Sequence, residues 1–284
     1  MLYDSHAHLN NEAFTEEERA ALIASCEEAV GKGLLSYVND VGFDLASSRM
    51  AAEHAAKYPW CYAVVGCHPH DTKNFDEAQL QEIAHLTEKE KVKAIGEIGL
   101  DFHFDLSDRD VQRFWFRKQI RLANELRLPI VIHSREADGE CLEILKEEGA
   151  FSEERKACFA VRPGPDGEEL PDARVLLHCF SGSAELAKQY VRLGATISMA
   201  GPLTYKNNRK GAEVVREIPA EFLLVETDSP YLTPEPHRGK KNRPEFVQFT
   251  ARRMAEIKGM SYEEIAGITK KNAIRFFNLS DQNE

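Results

Sequence analysis

The chain has 284 residues, 43% of them hydrophobic and 29% charged, with a formal net charge of −11. Such a composition excludes an intrinsically disordered chain, and no apolar stretch approaches the roughly 20 residues a bilayer span requires. An acidic protein does not coat a polyanion, so a nucleic acid would have to be met by a local positive field, for which residues 206–210 and 238–243 are the candidates.

The N-terminus carries no basic and apolar leader and turns acidic at Glu16, Glu17 and Glu18. The six cysteines (Cys26, Cys61, Cys67, Cys141, Cys158 and Cys179) are scattered with no CxxC pair. Both features lead us to expect reduced thiols and a cytoplasmic protein.

Eight short apolar runs are suited to buried parallel strands: residues 2–6, 34–38, 62–66, 93–98, 129–133, 174–178, 195–199 and 222–226. Helical patterns lie between them. Thr15 and Glu18 form a capping box ahead of Leu22, Ile23, Cys26 and Val30, which share one face, and Gly31 and Gly33 stop that helix. Helices are expected over 44–57, 77–90, 111–126, 183–193, 208–217 and 244–258, and a second capping box at Ser261 and Glu264 leads a last helix to Phe277. Strand followed by helix, repeated eight times, predicts an α/β fold, a TIM-type (β/α)8 barrel of about 250 residues, here a single domain over 1–284. Residues 149–173, rich in proline, glycine and acid, break the rhythm and read as a surface insertion at the helix-to-strand end, with no function assigned.

In such barrels the reacting groups stand at the C-terminal ends of the strands. His6 and His8 end the first run; positions i and i+2 of a strand share a face, which predicts that both imidazoles reach one metal ion, with Asp4 on that face too. His68, Glu97, His133, His178 and Asp228 follow at or just past the ends of the third, fourth, fifth, sixth and eighth runs. Two adjacent ions need a bridging anion, and Glu97 on the middle strand suits that task. His6, His8 and Asp228 would complete one ion, His133 and His178 the other, with Glu97 and Asp228 as the catalytic carboxylates. Histidine-rich shells suit zinc, whereas more oxygen would favour magnesium or manganese. Two divalent ions outweigh Glu97, Asp228 and a bridging hydroxide by one positive charge, which favours an anionic phosphodiester and a water activated by both ions.

The motifs His6-Ala-His8, Gly66-Cys-His68-Pro, Gly96-Glu-Ile-Gly-Leu-Asp101, His133-Ser-Arg135, His178-Cys-Phe-Ser-Gly and Glu226-Thr-Asp228-Ser-Pro-Tyr-Leu, with Arg238-Gly-Lys240 and Asn242, resemble the TatD-type metal-dependent deoxyribonucleases over nearly the whole chain. The resemblance implies a metal-dependent exonuclease that shortens single-stranded DNA from its 3′ end, with His6, His8, Glu97, His133, His178 and Asp228 as ligands and His68 at the phosphate. Arg135, Arg238 and Lys240 are candidates for gripping phosphate. Family members are also tied to removing D-amino acids from tRNA, so an aminoacyl-tRNA deacylase, or another amidohydrolase-type hydrolase, is the alternative. We expect a nucleic acid substrate, no membrane, no obligatory protein partner and a monomer.

Other residues have plainer readings. Phe102 and Phe104 could stack on unpaired bases or pack a lid. Cys67 and Cys179 neighbour site histidines but face the other way along a strand, as core thiols. His54, His70, His85 and His103 belong to no motif of their own.

Overall fold

Residues 1–279 are described in a computed structural model. The strands are β1 (Leu2–Ala7), β2 (Leu35–Val41), β3 (Cys61–Val65), β4 (Val92–Asp101), β5 (Ile130–Arg135), β6 (Arg162–Pro163), β7 (Glu169–Leu170), β8 (Val175–Leu177), β9 (Thr196–Met199) and β10 (Leu223–Val225), and all but β6 and β7 come from the apolar runs. Eight of them make one parallel sheet in the order β1-β2-β3-β4-β5-β8-β9-β10, while β6 and β7 pair as a small antiparallel hairpin. The two edges of the large sheet meet just past β10. There Asp228 N donates to His6 O and His8 N donates to Ser229 O, both at 2.8 Å. The sheet is thereby nearly closed into a TIM-type barrel.

Side chains alternate across the barrel wall as the two-residue period of a strand requires. Tyr3, Tyr37, Tyr62, Val64, Ala94, Val131, Leu176 and Leu224 belong to one apolar cluster, and their strand neighbours Leu2, Val38, Cys61, Ala63, Ile95, Ile130, Ile132, Val175 and Val225 to another. Phe276 and Phe277 join the first cluster from the C-terminal helix, and Phe277 stacks on Tyr3 with centroids 5.9 Å apart.

The helices are α1 (Glu16–Gly31), α2 (Leu45–Lys57), α3 (Glu77–Leu86), α4 (Arg109–Glu125), α5 (Asp138–Glu147), α6 (Glu153–Lys156), α7 (Ala184–Leu193), α8 (Arg209–Glu217), α9 (Val247–Lys258) and α10 (Tyr262–Phe276). Both expected capping boxes form, at Thr15 and at Ser261. The main departures from expectation are two helix ends and one helix, α5, that no sequence pattern announced. Helix α3 stops at Leu86, four residues early, where Thr87 turns its hydroxyl back onto Ala84 O. The residues from Pro244 to Phe246 form a 3-10 turn before α9 begins. Helix α5 has no side-chain cap at Ala137, so the sequence carries no start signal for it.

The insertion supplies α6 and the β6–β7 hairpin, and it is anchored beneath the barrel. Buried Arg155 donates to the carbonyls of Leu128, Ala173 and Arg174, which lie just ahead of or at the start of β5 and β8. Arg162, 2% exposed, donates to Ala195 O and Val191 O and lies 4.3 Å from the Phe222 ring centre. Expected on the surface, the segment buries two arginines, because carbonyls left at helix and loop ends need donors.

Candidate metal centre

Two irregularities in the sheet fall where the candidate ligands stand. The β1 ladder shifts register between Asp4 and Ala7, and the β4 ladder between Ile95 and Ile98. Close approach of backbones accompanies the second: a Cβ on Gly96 would lie 2.7 Å from Val131 Cβ, and one on Gly99, at φ +150°, would meet His133 O. Only glycine brings β4 close enough to β5 for Glu97 and His133 to meet. At the other strand ends, Cys179 and Asp228 adopt left-handed φ values of +44° and +57°, a strain tolerated where surrounding contacts over-determine the backbone.

The result is a buried cluster of imidazoles around one carboxylate. Glu97 Oε2 lies 3.2 Å from His6 Nε2 and 3.6 Å from His8 Nε2. Those two nitrogens are 3.3 Å apart, and Asp228 Oδ1 is 3.4 Å from His8 Nε2 and 3.9 Å from His6 Nε2. On the other side, Glu97 Oε1 lies 2.7 Å from His178 Nε2, 2.9 Å from His133 Nδ1 and 3.5 Å from His68 Nε2. Glu97 therefore turns a different oxygen to each of two ligand sets. Donor atoms of a tetrahedral zinc shell, with bonds of about 2.0–2.1 Å, sit about 3.3–3.4 Å apart. The first set has that spacing, so the residues fit a divalent ion. Among the described residues, three groups that could hold one are His6, His8 and Glu97; His68, Glu97 and His133; and His6, His178 and Glu226.

The far nitrogens of three of these imidazoles are also held, whereas His6 Nδ1 is buried without a hydrogen-bond partner. His8 Nδ1 donates to Val41 O at 2.7 Å; His133 Nε2 lies 3.1 Å from Asp101 Oδ2; His178 Nδ1 lies 3.3 Å from Glu226 Oε1. Carboxylates or carbonyls on the outer nitrogen fix ring orientation and tautomer, the usual support of metal-binding histidines. Asp101 Oδ2 also takes His70 Nε2 at 2.9 Å, and Asp101 Oδ1 accepts from His103 N and Phe104 N.

Charge follows from these contacts. Burial alone would raise Glu97, but His178, His68 and His6 outweigh it and hold the carboxyl well below its usual range. Burial works against a charge on His8, yet Asp228 and Glu97 lift it to about 9. His68 is driven well below its ordinary value by burial and by His133. An ionised carboxylate inside a ring of imidazoles is a place made for cations.

All six expected ligands, His6, His8, Glu97, His133, His178 and Asp228, come together. Asp4 does not: with the ladder irregular after it, its carboxylate accepts from Thr227 N at 2.9 Å and Thr227 Oγ1 at 2.6 Å and seats the loop that carries Asp228. His68 is drawn into the cluster itself. The phosphate candidates stay on the rim. Arg135 is exposed with its guanidinium 4.6 Å from the Phe104 ring centre, and Arg238 lies 4.4 Å from that of Tyr205. Lys240 is exposed, and its carbonyl accepts from Thr233. Asn242 works behind the rim, donating to Thr227 O and Tyr231 O. Cys67 is buried as expected, whereas Cys179 is half-buried, its backbone N–H given to Glu226.

Three supporting residues had no role assigned from sequence: Asp101, Glu226 and His70. The first two lay inside the motifs, Asp101 closing the fourth strand and Glu226 two residues before Asp228. His54 pairs with Asp40 instead, and His85 and His103 with Glu88 and Glu136.

The family described as TatD related DNase matches residues 3–278. An uncharacterised metal-dependent hydrolase of Bacillus subtilis, YabD, is 41% identical over 280 residues, covering 99% of this chain and 100% of its own. The uncharacterised metal-dependent hydrolase TatD of Mycobacterium tuberculosis is 34% identical, covering 98% of each. Among solved structures, YJJV, a TatD homologue from Escherichia coli, superposes with a TM-score of 0.82 at 26% identity over 98% of both chains.

Proposed function

The chain belongs to the TatD-related DNase family and is a metal-dependent hydrolase, and from that premise we propose that it cleaves phosphodiester bonds of DNA, shortening single strands from the 3′ end, with two divalent ions. The observation that carries the reading is the division of Glu97, with Oε2 toward His6 and His8 and Oε1 toward His133, His178 and His68. His6, His8 and Asp228 would hold one ion, His133 and His178 the other, with Glu97 between them. The imidazole-rich donor set favours zinc, with manganese or magnesium as alternatives.

Two ions bound there would supply an acidified water and offset charge on the phosphate. The chain's own residues do the rest. Asp228, with 14% of its side chain exposed against 4% for Glu97, is the carboxylate nearest solvent and accepts the proton of the attacking water. Glu97 and Asp228 leave the doubly loaded site positive, which favours a phosphodiester over a neutral amide. His68 faces the phosphate from the cluster wall, and Arg135, Arg238 and Lys240 guide the strand at the rim.

We place the enzyme in the cytoplasm as a monomer without an obligatory protein partner. All six cysteines are free, and no helix among the described residues is long and apolar enough to cross a membrane.

The test is digestion of a 5′-labelled single-stranded DNA with zinc, manganese or magnesium, beside Glu97→Gln. A ladder shortening from the 3′ end and lost in the variant is expected. A silent wild type with ions bound would transfer the assignment to the deacylase on D-aminoacyl-tRNA.

A further inference from the structure

Among the described residues three aromatic rings are largely exposed: Phe104, Phe114 and Tyr231. Two of them stand at the mouth of the metal centre. Tyr231, 52% exposed, has its ring 6.3 Å from that of His8, and its hydroxyl accepts from Asn11 Nδ2 at 3.0 Å. Phe104, 50% exposed, lies edge-on to His70 at 5.5 Å, with Arg135 against it. Phe102 is less open, half-buried with two guanidiniums, those of Arg109 and Arg113, 4.5 and 5.3 Å from its ring.

The topology sets these two rings apart. Phe104 follows β4 and Tyr231 follows β10, the fourth and eighth strands in order around an eight-stranded barrel, so their loops face each other across the mouth. A line of ring contacts runs between them, from Tyr231 through His8, His6, His178, His133, His68 and His70 to Phe104. The ligand cluster thus lies between the two exposed rings. Leaving two apolar rings in water beside a polar pocket has no folding benefit, whereas π-faces at a charged groove bind unpaired bases of any sequence.

We propose that Phe104 and Tyr231 are stacking platforms for the two bases that flank the scissile phosphate. The inference rests on the nuclease reading and makes it narrower. The minimal substrate is a dinucleotide with both bases unpaired, so a paired end must fray before it is cut, and mononucleotides are the product.

The test measures kcat/KM on a single-stranded tetranucleotide and on two copies in which either the terminal or the penultimate base is missing. Tyr231→Ala and Phe104→Ala are each expected to lose about ten- to a hundredfold on the intact substrate. Tyr231→Phe, which keeps the ring and gives up the bond to Asn11, is expected to recover most of the rate that Tyr231→Ala loses. Each alanine variant should lose nothing further on the copy that lacks the base it stacks, and lose in full on the other. Losses of equal size on all three substrates, or none, overturn the platforms while wild-type cleavage keeps the nuclease reading. A wild type that cuts none of the three with any metal overturns both.

Discussion

Asp101→Asn changes one atom and separates orientation of His133, a proposed ligand, from ligation itself. In the wild type Asp101 Oδ1 is fixed by the backbone N–H groups of His103 and Phe104, at 3.0 and 2.9 Å. Gln112 holds the Asp101 backbone N–H at 2.9 Å. Oδ2 is consequently aimed at His133 Nε2 and His70 Nε2, and both rings give it a proton. The asparagine must keep its oxygen on the two backbone donors, which leaves its amide nitrogen facing two ring N–H groups, donor against donor. His133 escapes by moving its proton to Nδ1, the nitrogen turned toward Glu97 Oε1, and a protonated Nδ1 cannot ligate. Loss of such an outer carboxylate costs about 10–100-fold in metal affinity or rate, or about 1.4–2.7 kcal/mol. Equilibrium dialysis against zinc or manganese, paired with kcat on single-stranded DNA, reads both. Unchanged affinity and rate in Asp101→Asn would refute the assigned orientation of His133.

Two predictions concern parts remote from the ligands. Arg162→Ala leaves Ala195 O without its guanidinium donor under the barrel and Val191 O with only the Gly194 N–H, which costs about 1–3 kcal/mol and about 2–5 °C in Tm by calorimetry. Its kcat at 25 °C should match the wild type; an unchanged Tm would mean that the insertion is not an anchor. Burial and the neighbouring Asp44 push the Asp71 carboxyl up from 3.8 to about 6. A folded value above the unfolded one means that the ionised carboxylate opposes folding above pH 6, and that this penalty fades as pH falls toward 4. Asp71→Asn should therefore raise the stability at pH 7–8 by about 1 kcal/mol after allowance for partial exposure, seen as a higher Tm, and give no gain at pH 4. The same gain at both pH values would rule out the carboxylate as its source.

Much of this was legible in the sequence because the barrel demands it. A strand buried on both faces has to be an apolar run, and a polar residue at its end has few reasons to be there besides chemistry. That is why Glu97 after Ala94-Ile95-Gly96, or His133 after Ile130-Val131-Ile132, stood out. Asp4 misled because a period of two assumes an unbroken ladder, and the β1 register shifts between Asp4 and Ala7. Asp101 and Glu226 could be seen but not assigned, since a carboxylate that orients a histidine reads the same as one that ligates. Arg155 and Arg162 were hidden for a different reason: nothing local marks a guanidinium that will be buried against carbonyls far along the chain. The two exposed rings at the mouth gained meaning only when the sheet order set β4 opposite β10.

Glu97 is proposed to serve two ions at once, and the number of ions bound per chain decides whether it does. The wild type, loaded with zinc or manganese and freed of excess ion, should carry two ions per chain by elemental analysis, and Glu97→Gln, still folded by circular dichroism, should carry at most one and cleave no DNA. One ion per chain in the wild type at saturation, or two held undiminished by Glu97→Gln, would contradict it.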